Sequence, residues 1–294
     1  MRDLILLLLT INTSVLVFSQ DKGRLVDGQL IIDGNKRSFL SYIPAGLNDG
    51  KVPVVISLHG GFASPKGMFK LANFKPLADR EHFIVICPAS KRMWHDGKDN
   101  NGIDDIKYID QLIDYAIKTY NVDPQRVYIA GVSNGGFMTA RLACELDTRI
   151  AAVAIVAATL DVGEGYDLKR PMPALYIHGT KDPIVSYDGG KLFGREIYSH
   201  DAVVDKWIKL NQCLPDPVAT EIVDLAKDGT SVLKAEYHNP KTGLKVLSYS
   251  IINGGHTWPG GNQYLPSFII GKTTRNLDAC QEIWDFFKPY RLIH

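Results

Sequence analysis

Arg126-Val127-Tyr128-Ile129-Ala130-Gly131-Val132-Ser133-Asn134-Gly135, near the middle of the chain, is the stretch that decides the fold. Its first half is β-branched and aromatic, the composition of a buried strand. Its second half sets a serine between two glycines, and a helical pattern follows. Strand, tight turn and helix in that order read as a nucleophile elbow. A serine hydroxyl is a poor nucleophile until such a turn exposes it to a histidine and to backbone N–H groups that can hold an oxyanion. The five-residue pattern is short enough to arise by chance at ordinary glycine and serine content. Its surroundings must therefore carry the reading.

Outward from the elbow, the chain alternates buried strands with amphipathic helices. Upstream, strands are expected near Gly28–Ile32 and Ser38–Ile43, joined by an Asp33-Gly34 turn, and then at Pro53–Leu58 and Phe83–Cys87. A helix is expected over Phe74–Glu81. Another begins at Asp104, where Ile106, Ile109, Leu112, Ile113, Ala116, Ile117 and Tyr120 recur at the spacing of one helical face. Downstream, strands are expected at Ile150–Ala157 and Pro173–Ile177, a helix near Glu196–Leu210, further strands between Glu221 and Ile252, and a last helix over Leu277–Phe287. Such alternation predicts an α/β fold, a mostly parallel sheet with helices on both faces. Its active site belongs at the carboxyl ends of the strands.

Three further candidates fall at those ends. His59-Gly60-Gly61 follows the Val54–Leu58 strand, so the Gly61 N–H is expected to donate to an oxyanion, with the Asn134 N–H as second donor. Asp182, in His178-Gly179-Thr180-Lys181-Asp182-Pro183, follows the Ala174–Ile177 strand and suits a carboxylate that orients histidine. Asp161 and Asp188 are rivals in polar loops. His256, in the glycine-flanked loop Gly254–Gly261, follows the Val246–Ile252 strand and is the expected base. The order Ser133, Asp182, His256 is that of α/β-hydrolases. His59 and His178 are expected to brace the site loops. Trp258, beside His256, and Trp94 are candidates to stack on an aromatic acid or a sugar ring, whereas Trp284 is expected in the core.

Composition narrows the partners. With 45% hydrophobic residues, 22% charged residues and a formal net charge of +1, the chain lacks the basic footprint that nucleic acid requires. Nothing implies a protein partner. No Cys-x-x-Cys or His/Cys cluster suggests zinc, and the chemistry needs neither metal nor organic cofactor. The polar loop His95–Gly102 fails as a calcium loop: counting from Asp96, the third position is Lys98 and the twelfth Lys107, where oxygen ligands are required. Arg2, the apolar stretch Leu4–Phe18 and the small Ser19 read as a signal peptide over residues 1–19, too short for a stable membrane anchor. Residues 20–294 then form one catalytic domain, exported to a periplasm or beyond the cell. Of 4 cysteines, Cys87 and Cys144 sit in apolar contexts, leaving Cys213 and Cys280 as the pair to consider for a bridge.

The motifs LHGG (58–61), GVSNGGFMTARLACE (131–145), HGTKDPIV (178–185) and above all GGHTWPGG (254–261) make the chain resemble the esterase family of extracellular polyhydroxybutyrate depolymerases and feruloyl esterases. The resemblance runs from about Lys51 to Pro289 and implies an α/β-hydrolase fold with Ser133, Asp182 and His256 as its triad. Many relatives pair a cysteine at the position of Cys213 with one in the next β segment, where this chain has His238-Asn239-Pro240. The short stretch between Ala158 and Pro173 leaves no room for a large helical lid. An open site favours esters projecting from a polymer, so the expected substrate is a feruloyl or acetyl ester of cell-wall polysaccharide. Hydroxyalkanoate polyester or its oligomers come next, and a noncatalytic carbohydrate binder or a serine peptidase of the same fold are the further alternatives.

Overall fold

The computed structural model describes residues 23–47, 50–95, 104–163, 169–222 and 224–292. The expected signal peptide and nearly all of the polar His95–Gly102 loop lie outside them. β1 (Arg24–Ile32) and β2 (Asn35–Ile43) form an antiparallel hairpin turning at Asp33-Gly34. They are followed by β3 (Val52–Leu58), α1 (Pro65–Leu71), α2 (Lys75–Glu81) and β4 (Ile84–Pro88). α3 (Asp105–Tyr120) leads into β5 (Val122–Val132), and α4 (Asn134–Glu145) into β6 (Ala152–Val156) and β7 (Ala174–Gly179). The remainder comprises β8 (Gly190–Leu192), β9 (Arg195–Ile197), α5 (His200–Leu210), β10 (Val218–Ile222), β11 (Ser231–His238), β12 (Lys245–Ile252), α6 (Ser267–Ile270) and α7 (Ala279–Phe287).

One sheet runs through the molecule in the order β1-β2-β4-β3-β5-β6-β7-β12-β11-β10. From β4 to β12 every neighbouring pair is parallel, while both margins are antiparallel. The central strands β3, β4, β6 and β7 are buried at every position, as strands covered on both faces must be. Successive side chains point to opposite faces. Val54, Ile56 and Leu58 therefore join a core with α3, α4 and α5, whereas Val55 joins a second core with α1, α2 and α7. This is the α/β-hydrolase arrangement. Among the described residues, no helix lies between β6 and β7.

β1 begins at Arg24 rather than Gly28, the short α6 was not anticipated, and two other differences have a local cause. The helix expected from Glu196 begins at His200, because Arg195–Ile197 pairs with Gly190–Leu192 as a hairpin and Ser199 caps the helix by accepting from the Ala202 N–H at 3.2 Å. The short helix α1 was not expected. Its Ser64 cap accepts from the Gly67 N–H at 3.1 Å and Pro65 opens its first turn. With only Met68 and Phe69 buried, it leaves too little apolar pattern to read.

Candidate active site

Ser133 is the first residue beyond β5, at φ 56° and ψ −126°, a backbone conformation costing roughly 1–2 kcal/mol for a residue with a side chain. The turn is held from both sides. The Ser133 N–H donates to Val156 O at 2.9 Å, and its carbonyl accepts from the N–H groups of Gly136 and Phe137 at 2.7 and 3.0 Å. A side chain at Gly135 would lie 2.5 Å from the carbonyl oxygens of Leu58 and His59, and one at Gly131 would collide with Gly135 O. Gly135 is thus required where the turn passes over the end of β3, and Gly131 where the first turn of α4 folds back over the end of β5.

Asp182 follows β7, and each of its carboxylate oxygens has partners. Oδ1 accepts from the N–H groups of Ile184 and Val185 at 2.8 and 2.9 Å. Oδ2 lies 2.8 Å from His256 Nδ1 and 3.4 Å from His178 Nε2. Burial pushes the carboxyl up, but the hydrogen bonds and charges of His178 and His256 outweigh it and bring it down to about 2. An ionised carboxylate can only accept, so Nδ1 of His256 carries a proton and Nε2 is left as the basic nitrogen. The loop behind β12 holds that ring. The His256 N–H donates to Ile270 O at 2.6 Å, the Gly255 N–H donates to Lys272 O at 2.9 Å, and Tyr264 Oη donates to His256 O at 2.9 Å. Neither rival acid does the same. Asp161 pairs with Arg195 at 2.9 Å, and Asp188 is exposed.

Ser133 and His256 line one cavity of about 440 Å³, together with Gly60, Gly61 and Asn134. A Cβ on Gly60 would lie 3.4 Å from Ser133 Cβ, and one on Gly61 would lie 3.9 Å from Asn134 Cβ. The glycine loop therefore passes beside the serine. Among the described residues the Gly61 N–H meets no acceptor. The Asn134 N–H belongs to the first turn of α4, directly after Ser133. A second hollow of about 560 Å³, lined by Trp258, Lys70, Arg80, Asn262 and Gln281 among others, contains neither Ser133 nor His256. Among the described residues no cluster of three or more His, Cys, Asp or Glu side chains could hold a metal ion.

Residues 37–191 match the family described as Esterase PHB depolymerase. The chain belongs to that family. The candidate esterase NocK of Nocardia uniformis subsp. tsuyamanensis is 27% identical over 88% of this chain and 81% of its own. Feruloyl esterase B of Piromyces equi is 34% identical over 55% of this chain, and the bifunctional acetylxylan esterase/xylanase of Neocallimastix patriciarum 32% over 52%. Those matches span only 31% and 22% of the respective relatives. The acetyl xylan esterase from Aspergillus awamori superposes with a TM-score of 0.60 at 14% identity, covering 90% of this chain and 99% of its own, a likeness of fold. Membership places the protein among the ester hydrolases of the α/β type.

In this esterase the two tryptophans expected to stack on substrate are packed inside. Trp258 is 0% exposed and lies edge-on to Phe74 in the core shared with α7. Trp94, 2% exposed, is a brace: its Nε1–H donates to His59 O at 2.9 Å, and Asn134 clasps its backbone, Oδ1 accepting from Trp94 N at 2.6 Å and Nδ2 donating to Trp94 O at 3.1 Å. Neither side chain faces the cavity of the esterase. Tryptophan's large apolar area favours burial unless the backbone turns it outward, and the sequence does not show that turn. His59 is a brace as expected. The Ser90 N–H donates to its Nε2 at 3.2 Å, so Nδ1 donates to Gly60 O at 2.7 Å, and burial pushes its pKa down. His178 backs Asp182, its Nε2 also 2.9 Å from Val185 O.

The four thiols of the esterase are free. Cys213 Sγ lies 3.8 Å from Leu244 O, while Cys280 is buried in α7, so no bridge joins them. Residues that the sequence did not single out complete the cavity wall: Phe62, Phe193, Arg195 and Tyr264.

Proposed function

We propose that this esterase is an exported serine carboxylesterase that works through an acyl-enzyme, with Ser133 as nucleophile, His256 as base and Asp182 as its orienting acid. The observation that carries the reading is the 2.8 Å contact of His256 Nδ1 with Asp182, on an imidazole that shares one cavity with Ser133. Ser133 Oγ attacks the ester carbonyl carbon as its proton passes to His256 Nε2. The carbonyl oxygen becomes an oxyanion between the N–H groups of Gly61 and Asn134. The C–O bond to the alcohol breaks, and His256 returns the proton to that leaving oxygen. Water then attacks the acyl-enzyme with His256 again as base, releasing the acid and restoring Ser133. One oxyanion donor is worth about 3 kcal/mol to such a step.

For substrate we propose feruloyl or acetyl esters of plant cell-wall polysaccharide, the chemistry named in the Piromyces and Neocallimastix relatives. The apolar wall of the cavity and the family's name favour hydroxyalkanoate oligomers as a second reading. Export rests on the apolar stretch Leu4–Phe18, and no described helix is long and apolar enough to cross a membrane. The test is hydrolysis of methyl ferulate, acetylated xylan and a hydroxybutyrate trimer by the protein and by Ser133→Ala. We expect one ester class to be cleaved and its rate to fall about 10⁶-fold in the variant. A wild type inert on all three overturns the proposal.

A further inference from the structure

Phe62 and Phe193 break two rules at once. Each is a large aromatic residue left 78% and 87% exposed, and each has left-handed backbone, φ 59° and 47°. Phe193 is the clearer case. With Gly194 at φ 85° it makes the two-residue turn between β8 and β9, and two positive φ values mark a type I′ turn, whose first position favours asparagine or aspartate. Phenylalanine gains little there from burial and bears the strain of the left-handed region. Phe62, whose N–H donates to Arg92 O at 2.7 Å, is held in the same region one residue beyond Gly61. Neither choice serves folding, and residues kept against such a cost cluster at ligand sites.

Both rings line the Ser133 cavity, at its open side. The polar side chains on its wall, apart from Ser133, His256, His59 and Asn134, are committed elsewhere: Arg195 to Asp161 and over the Phe137 ring, and Tyr264 to His256 O. What remains for the acyl group is an apolar wall ending in two exposed rings. An acetyl group on Ser133 would fill only a small part of a cavity of about 440 Å³, which has room for a flat conjugated acid. Aromatic faces and edges give a flat ring more than its buried area alone. Resting on the serine esterase reading, we propose that Phe62 and Phe193 form an acyl-selecting subsite that takes a flat aromatic acyl group, of the hydroxycinnamoyl type, in preference to acetyl or aliphatic acids.

The test uses esters of one alcohol: methyl ferulate, methyl octanoate and methyl acetate, with Phe62→Asn/Phe193→Asn, both asparagines being at ease at positive φ. We expect kcat/KM for ferulate relative to octanoate and to acetate to fall about tenfold. We also expect Phe193→Asn to raise Tm by a few degrees, the opposite of what a structural role would give. Ratios that stay at the wild-type values overturn the subsite, as does an equal fall for ferulate and octanoate. Binding of methyl ferulate to Ser133→Ala, followed by calorimetry with and without the asparagine changes, separates the two proposals. An asparagine-dependent loss of binding in a protein with no hydrolysis keeps the subsite and removes the esterase reading. Equal binding alongside Ser133-dependent hydrolysis does the reverse.

Discussion

Asp182 shows how a single side chain ties the site to the stability of the fold. Its carboxyl, brought down to about 2, is ionised in the folded chain where the unfolded chain at 3.8 begins to take up protons. A folded value below the unfolded one means stability that is fully present above about pH 4 and is lost as pH falls through about 2. The shift corresponds to about 2 kcal/mol. Urea unfolding of the protein and of Asp182→Asn should therefore differ by an amount that shrinks by about 2 kcal/mol as pH falls from about 4 to about 2. A gap independent of pH would remove the hydrogen-bonded carboxylate as its source. At pH 7 the same variant should lose about 10⁴ in kcat, because asparagine no longer holds the Nδ1–H tautomer. At this scale the sequence was informative wherever a residue's place just behind a strand sets its place at the carboxyl edge of the sheet. It placed Asp182, rather than Asp161 or Asp188, beside His256. It could not say which way Trp94 and Trp258 turn, since side-chain direction at a loop is set by what packs from elsewhere in the chain. Trp94→Phe keeps an aromatic ring but removes the pyrrole N–H that bonds His59 O, so we expect kcat on small esters to fall several-fold at an unaltered KM. A change confined to KM would return Trp94 to substrate contact.

Elements with strong local signals were legible in the sequence. β3 and β4 are short runs rich in β-branched residues, with Ser57 their one hydroxyl, and α3 carries its apolar face from Ile106 to Tyr120 with Asp104 as cap, its carboxylate accepting from the Lys107 N–H at 2.8 Å. Elements whose logic lies in tertiary contact were not. The β8–β9 hairpin has three residues a side and turns on Phe193-Gly194, where a reader of sequence looks for Asn-Gly. α1 hides behind a proline and a glycine. The elbow itself depends on close passage rather than on propensity, which makes its glycines intolerant. In Gly135→Ala the added methyl meets the carbonyl oxygens of Leu58 and His59, both backbone atoms of a buried strand end, so β3 and α4 must separate. We expect that substitution to cost about 3 kcal/mol or more and to abolish activity, read by denaturant midpoint and by ester hydrolysis.

For the whole molecule, the free thiols set an expectation that does not depend on the site. Cys87, Cys144 and Cys280 are buried, and burial pushes the Cys87 and Cys280 thiols up. An exported protein would ordinarily have its cysteines tested by an oxidising environment. Here dithiothreitol should leave Tm where it is, and a thiol reagent should label half-buried Cys213 first, reaching the others only on unfolding. A reductant-induced fall of several degrees would instead reveal a bridge worth about 2–4 kcal/mol.

The sheet order also bears on chain length. Ser133 stands at the end of β5 and His256 beyond the end of β12, three strands along the sheet, a separation of about 14 Å at the usual spacing. The Asn253–Gly255 tether has to bring the imidazole back over that span, pinned at Lys272 and Ile270. Removing one residue from the tether shifts the ring by up to about 3.5 Å, more than a hydrogen bond tolerates. The Asn239–Leu244 turn at the opposite end of β12 has no such duty. Insertions should accumulate there and be absent from the tether, so the history of this esterase will be written in where its length is allowed to drift.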